Sequence, residues 1–430
     1  MVNVSIVASG TRGDVQPYIA LGQGLQQAGY AVRLLASENF EVLATEAGLG
    51  FASTGENIEA IIQSEEWRKT TESGNFLSIL AKMQSEMKKH AVRLAQVMPN
   101  LLKGSDLIIT GMGGIGGVYS IAEMLHIPVI QAYVFPFTPT DEFPAPLVPK
   151  LPIGGVVNRL SFHVMRQMFW QNTKIADTAM RQAVGLGKGS FWGPFATLNR
   201  RQVPALYGYS RHLLPRPHDW PENHYVTGYW FLDAPDEWTP PSDLVAFLNA
   251  GKPPVYIGFG SMLNRNPEEA GAMVLEALQQ SGQRGILASG WGGLKSSHLP
   301  DTVFPIASIP HNWLFPRMAA VIHHGGAGTT SAGLRAGIPS IIIPFMGDQA
   351  FWGARVVSLG VGTKPIPRKK LTAVRLAEAI SEAVSNTTMQ QNAANLGQKI
   401  RDENGVEMAV ALVEQLGKSL GVPRTSLTTV

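Results

Sequence analysis

Cysteine is absent from this chain. Disulfide staples and thiolate metal centres are therefore excluded, while the compartment stays open. No apolar run reaches the length of a membrane span, and the opening Asn3-Val4-Ser5-Ile6-Val7 run is too short for a signal peptide, with Arg12 and Asp14 close behind it. A cytoplasmic location is the default expectation. Charge is also sparse: charged residues make up 16%, and the net charge of +3 is not gathered into a basic block. That argues against nucleic acid as the main partner, because duplex binding needs a clustered basic face. What the chain does have is length and apolar content. Its 430 residues, 45% of them hydrophobic, exceed one ordinary core, so a globular protein of two domains is expected.

The pattern along the chain is strand, helix, strand. Val4 to Ala8 is an apolar run, and a helical pattern from about Val15 stops at Gly29. Ala31 to Ala36, Asp106 to Thr110 and Ile127 to Ile130 read as buried strands. Helical segments stand at Phe76 to Leu102 and Leu160 to Val184, and Phe135 to Gly155 reads as a long loop. Prolines 235, 240, 241, 253 and 254 mark a linker. A second series follows at Val255 to Ser261, Gly285 to Ser289, Ala320 to Ile322 and Ser340 to Ile343. The expected division is an N-terminal domain over 1–232, a linker over 233–254, a C-terminal domain over 255–417 and a tail over 418–430. Alternating strands and helices imply α/β domains with parallel, doubly wound sheets.

The most informative stretch is VIHHGGAGTTSAGLRAGIPSIIIPFMGDQ, from Val321 to Gln349. A buried strand running into a glycine-rich helix start makes an anion site, because the first helical N–H groups point at the ligand. His324 and Thr329 flank that turn. Asp348 and Gln349 follow the next strand, where open α/β sheets place ligand contacts. The local reading is a phosphate carrying a polyol, hence a nucleotide sugar. His323, on the other strand face, reads as packing. Asp14 lies before a helix with Pro17 in its first turn, and is either a helix cap or a general base.

This stretch, together with the Gly10-Thr11-Arg12-Gly13-Asp14-Val15-Gln16-Pro17 run, resembles UDP-dependent glycosyltransferases of the GT-B fold. The likeness is greatest to sterol glucosyltransferases and to bacterial glycopeptide and macrolide glycosyltransferases. The resemblance implies two Rossmann-like doubly wound domains facing a cleft, the first for the acceptor and the second for the donor. It implies Asp14 as the catalytic base. It puts Thr11 and Arg12 at the donor phosphates and sugar, and His324, Ala327, Gly328 and Thr329 at the diphosphate. Asp348 and Gln349 fall on the sugar, Ile309 and His311 on the nucleobase or ribose, and Ser261 near the phosphates. The sequence departs from the plant small-molecule enzymes at two positions: Ser308 stands where they carry a stacking tryptophan, and Ala332 where they carry a ribose-binding glutamate.

The implied reaction is an inverting transfer of glucose from UDP-glucose to a sterol or similar polycyclic hydroxyl, giving a β-glucoside without metal or further cofactor. The alternative acceptors are macrolides, glycopeptides or carotenoids, and the alternative of another class is a nucleotide-sugar epimerase. Met83, Met87, Phe135 and Met168 are acceptor-pocket candidates, although stripes of this kind are chiefly core. The implied partners are a nucleotide sugar and an apolar small molecule. Any peripheral membrane contact would be made by the catalytic body. The Gly111-Met112-Gly113-Gly114-Ile115-Gly116 run matches a dinucleotide fingerprint. However, the strand Val129-Ile130-Gln131-Ala132-Tyr133 offers no acid for a ribose, so the glycines are expected on a cleft floor.

Overall fold

The computed structural model describes residues 1–55, 76–148, 154–235, 237–259, 267–288 and 299–422. Ser261 lies outside these residues, as do the side chains of Met83 and Met87. The chain divides into two compact units. One comprises 1–211, 215–232 and 404–430, and the other 212–214 and 233–403.

The first unit holds a seven-stranded sheet: β1 Asn3–Val7, β2 Ala31–Ala36, β3 Gly50–Ser53, β4 Leu107–Thr110, β5 Val129–Tyr133, β6 Ala205–Tyr207 and β7 His224–Val226. Its order is β3-β2-β1-β4-β5-β6-β7, and every pairing is parallel. Helices cover both faces of such a sheet, so its strands read as continuous apolar runs. Ile6, Leu34, Ile109 and Ile130 accordingly sit in one core with Ile19 and Leu25 of the helix Arg12–Gln27.

The second unit repeats the plan with β8 Val255–Gly258, β9 Gly285–Ala288, β10 Val303–Ile306, β11 Ala320–His323 and β12 Ser340–Ile342. The order is β10-β9-β8-β11-β12, again all parallel. In each sheet the strand order reverses beside the first strand, between β1 and β4 and between β8 and β11. Doubly wound sheets bind ligands outside the carboxyl ends of the strands at that switch point.

Several expectations change. The first helix starts at Arg12, so Pro17 lies inside it and beyond the first turn. The second long helix spans Gly155–Ala183 and takes up the end of the expected loop. The linker zone carries the helix Ser242–Asn249, whose Leu244 is buried in the second unit. The last helix, Gly405–Ser419, was expected in the C-terminal domain. It belongs instead to the first unit, where Ala409, Val413 and Leu416 form one stripe packed into the core around Leu25 and Tyr30. The glycines at 111–116 serve close packing rather than a cleft floor. A Cβ on Gly111 would stand 1.9 Å from the Ala132 carbonyl oxygen, and one on Gly114 would stand 2.5 Å from the Thr110 methyl.

Candidate functional site: two switch points

In the first unit, β1 ends at Val7 and the chain turns through Gly10, at φ +128°. Thr11 is the N-cap of the following helix and Asp14 occupies the third helical position, so Asp14 is the partner of the cap rather than the cap itself. The Thr11 backbone N–H donates to Asp14 Oδ2 at 2.8 Å, and the Thr11 hydroxyl donates to the same oxygen at 3.0 Å. Both bonds fall on Oδ2. Oδ1 has no protein partner among the described residues and is not sealed from solvent. Burial raises the Asp14 pKa, and the two Thr11 bonds pull it the other way. The result is a carboxylate held by one oxygen, with the other open and more basic than usual. Arg12 is exposed and donates through Nε to Gln16 Oε1 at 2.9 Å along its own helix.

Gly10 permits this geometry. A Cβ there would come within 2.4 Å of Asp14 Oδ2, at a backbone angle that side chains rarely adopt. Gly10→Ala is expected to destabilise the chain by about 1–3 kcal/mol and to swing the carboxylate away. Urea unfolding at wild-type stability, with the Asp14-dependent activity intact, would contradict the tight fit.

In the second unit, β11 ends at His323, and Gly325, at φ +92°, turns the chain into the helix Ala327–Ala336. The Gly325 N–H donates to His323 Nδ1 at 3.0 Å. This fixes the tautomer with the proton on Nε2, and Nε2 is sealed without a partner among the described residues. His324 Nδ1 is sealed and unpartnered as well. Burial pushes the His324 pKa down to about 4, and burial, then His324 and His311, hold that of His323 well below the usual range. Both rings are therefore neutral at physiological pH. The His324 ring lies across Gly326, where a Cβ would stand 2.4 Å from Nε2.

Ala327 and Thr329 are half-buried at the helix start, and Gly328 is exposed. An open helix N-terminus with neutral imidazoles beside it suits a diphosphate, because its partial positive charge and N–H donors are already in place. His323, expected to be simple packing, thus clamps the turn. The signal was its place two residues before the Gly-Gly pair, which strand periodicity alone reads as an inward face.

The other candidates sit around the same carboxyl edge. Ile309 precedes the short helix His311–Leu314, and the His311 ring stacks on Phe315 at 4.2 Å with its plane 15° away. Asp348 caps the helix Gln349–Ser358, which begins one residue sooner than the sequence suggested, and its Oδ2 accepts from the Trp352 indole N–H at 2.7 Å. Gln349 is buried, and its Oε1 accepts from the backbone N–H groups of Phe345 and Met346 at 2.7 and 3.0 Å. The pair is thus anchored in its own loop.

Phe135 packs edge-on to Phe137 at 6.1 Å, inside an aromatic cluster with Tyr133, Phe169 and Phe195. Met168 is exposed, so the structure does not bring it into that cluster. Among the described residues, Asp141, His218 and Asp219 converge closely enough to hold a metal ion. They are already engaged, Asp219 by Arg159 and Thr140 and His218 by Glu142.

Known proteins resemble this chain in sequence and in fold. Residues 4–144 match the glycosyltransferase family 28 N-terminal domain, and residues 289–414 match the C-terminal domain described as erythromycin biosynthesis protein CIII-like. The chain is 34% identical to a sterol 3-beta-glucosyltransferase of Arabidopsis thaliana over 99% of its own length and 70% of that protein. It is 36% identical to the sterol 3-beta-glucosyltransferase of Cryptococcus neoformans var. neoformans serotype D (strain JEC21 / ATCC MYA-565), covering 96% of itself but only 27% of that relative. The solved glycotransferase of kitacinnamycin superposes with a TM-score of 0.70 at 18% identity, covering 96% of this chain and 98% of that one, which shows the shared GT-B fold. With both switch-point motifs in place and the likeness running the length of the sequence, the chain belongs to the sterol 3-beta-glucosyltransferase family of GT-B glycosyltransferases.

Proposed function

We propose that the chain transfers glucose from UDP-glucose to a hydroxyl of a sterol or similar apolar polycyclic acceptor, with inversion. The observation that carries this is the Asp14 carboxylate, held at a switch point by Oδ2 and open at Oδ1. Asp14 takes the proton from the acceptor hydroxyl. The freed oxygen pair attacks the anomeric carbon, the bond from that carbon to the diphosphate oxygen breaks, and UDP leaves with the electron pair. The helix start at Ala327 and the imidazole of His324 stabilise the charge on the departing diphosphate, with His323 holding the turn behind them, so the step needs no metal.

Thr11 and Arg12 border the donor in this scheme. The same scheme assigns Ile309 and His311 to the nucleoside, Ser261 to the phosphates, and Asp348 with the Gln349 amide to the sugar. The names of the sterol-glucosylating relatives support the choice of acceptor. A second acceptor class, a macrolide or other polycyclic natural product, is favoured by the match of residues 289–414 to the erythromycin CIII-like domain. Incubation with UDP-glucose and a panel of polycyclic alcohols should add the mass of one hexose to at least one of them. Hydrolysis of UDP-glucose with no glycosylated acceptor would count against the proposal. A cytoplasmic location belongs to it, because the charged co-substrate does not cross a bilayer unaided.

Membrane contact is part of the same proposal. Among the described residues no helix is long and apolar enough to cross a bilayer. Yet Val156, Leu160, Val164 and Met168 recur at every fourth position of one helix and are all exposed, as are Phe191 and Trp192. Lys174 Nζ lies 5.0 Å over the Phe191 ring, which puts basic charge beside the apolar stripe. That combination suits an anionic lipid surface, where a polycyclic alcohol resides. Co-sedimentation with phosphatidylserine-containing vesicles should fall about tenfold in a Leu160→Glu, Val164→Glu double variant. Unchanged sedimentation would remove this face from consideration.

A further inference from the structure

Arg166 lies midway along the helix Gly155–Ala183 and is only 5% exposed. Its Nε donates to the Phe137 carbonyl oxygen at 3.1 Å. Its guanidinium carbon stands 5.2 Å from the centre of the Phe137 ring and 5.1 Å from that of Phe195. The titratable groups coupled to it are three buried tyrosines, Tyr133, Tyr207 and Tyr119, and two histidines, His163 and His224, with no carboxylate among them. Among the described residues neither Nη atom has a hydrogen-bond partner, and neither is sealed off from free space.

A guanidinium keeps its charge at every physiological pH, so it cannot escape burial by losing a proton. Buried charges are ordinarily paired, because leaving one uncompensated is costly. A methionine or leucine would fill the same aromatic nest without that penalty, so a charge kept here points to a partner that arrives from outside. The planar fork of Nη1 and Nη2 matches a carboxylate in bidentate geometry.

Position supplies the rest. Tyr133 and Tyr207 end β5 and β6, so Arg166 lies at the carboxyl edge of the same sheet whose β1 leads to Asp14. Tyr18, on the helix that carries Asp14, donates its hydroxyl to the Ala132 carbonyl oxygen beside Tyr133, and the Tyr133 ring packs 4.8 Å from that of Phe137, whose carbonyl oxygen holds Arg166. One tyrosine cluster therefore runs between the carboxylate and the guanidinium, and its walls are aromatic.

We propose that Arg166 anchors a carboxylate on the acceptor, so that the preferred acceptor is a polycyclic alcohol bearing an acid group away from the reacting hydroxyl. This rests on the glycosyl-transfer reading above and, among its polycyclic alcohols, favours acid-bearing members over neutral sterols. A matched pair of probes tests it on the full chain: cholic acid and methyl cholate, which share a hydroxylated polycyclic body and differ in the anion. By equilibrium dialysis near neutral pH, the wild type should bind the acid at least about tenfold more tightly than the ester. Arg166→Met should reduce that preference to about threefold or less, and Arg166→Lys should keep part of it.

Equal binding of acid and ester by the wild type, binding of neither, or a preference that survives in Arg166→Met overturns the proposal. The wild-type comparison decides the matter even if the methionine variant fails to fold. Dialysis reads binding alone, so an intact preference without glucose transfer would support the Arg166 site and refute the catalytic reading.

Discussion

Asp14→Asn is expected to lower glucosyl transfer roughly a thousandfold while leaving UDP affinity within about twofold of wild type. The asparagine side chain still accepts the two Thr11 bonds, so the helix start should survive. What is lost is the proton acceptor at the open position. Burial holds the Asp14 carboxyl above its ordinary 3.8. Only the ionised form takes a proton, so kcat/KM should fall as pH drops through the folded-state pKa. The acid limb therefore lies above 3.8 in the wild type and disappears in the variant. A wild-type profile that stays flat down to about pH 4, or a variant within tenfold of wild-type activity, would remove Asp14 from the role.

His324→Ala is expected to weaken UDP binding about tenfold to a hundredfold, because a phosphate oxygen loses a donor held in place by a largely buried ring. The helix start at Ala327 and the His323 clamp on Gly325 remain, so the loss should appear in affinity and not in stability. The pH dependence separates a neutral donor from a cation. With its pKa pushed down to about 4, His324 is uncharged through the neutral range and gains charge only in acid. Between about pH 6 and 8 it should contribute no slope to UDP affinity. An affinity that climbs tenfold per unit as pH falls through that range would mean a protonated ring at the phosphates. An unchanged dissociation constant in His324→Ala would place the diphosphate elsewhere.

The place of both residues beside a strand-to-helix turn was legible because the physics that marks it is local. A strand that ends in glycine and runs into a helix is written in consecutive residues, at Val7 to Asp14 and again at His323 to Thr329. Parallel sheets followed from continuous apolar strands alternating with helices. The short strands β6 and β7 left no such mark, since three residues give no periodicity to read and their register comes from neighbours far along the chain. The last helix shows the same gap. Its apolar stripe announces that it packs, but not that the chain returns to the first unit to do so.

Side-chain roles set by loop geometry were the least visible. In sequence Gln349 reads as a sugar contact alone, and the loop gives its carbonyl oxygen a further task, holding Phe345 and Met346. Asp348 likewise meets Trp352, one helical turn on. Arg166 carried no signal either, because a lone arginine in an amphipathic helix ordinarily faces water, and its burial depends on the Phe137 and Phe195 rings that close over it.

The most direct measurement is the anomeric configuration of the product. Proton NMR of a glucoside made by the wild type from UDP-glucose and a polycyclic alcohol should show the large coupling of a β-linkage, formed from the α-linked donor in a single displacement. An α-glucoside, with its small coupling, would contradict attack by an oxygen that Asp14 has deprotonated on the face opposite the diphosphate.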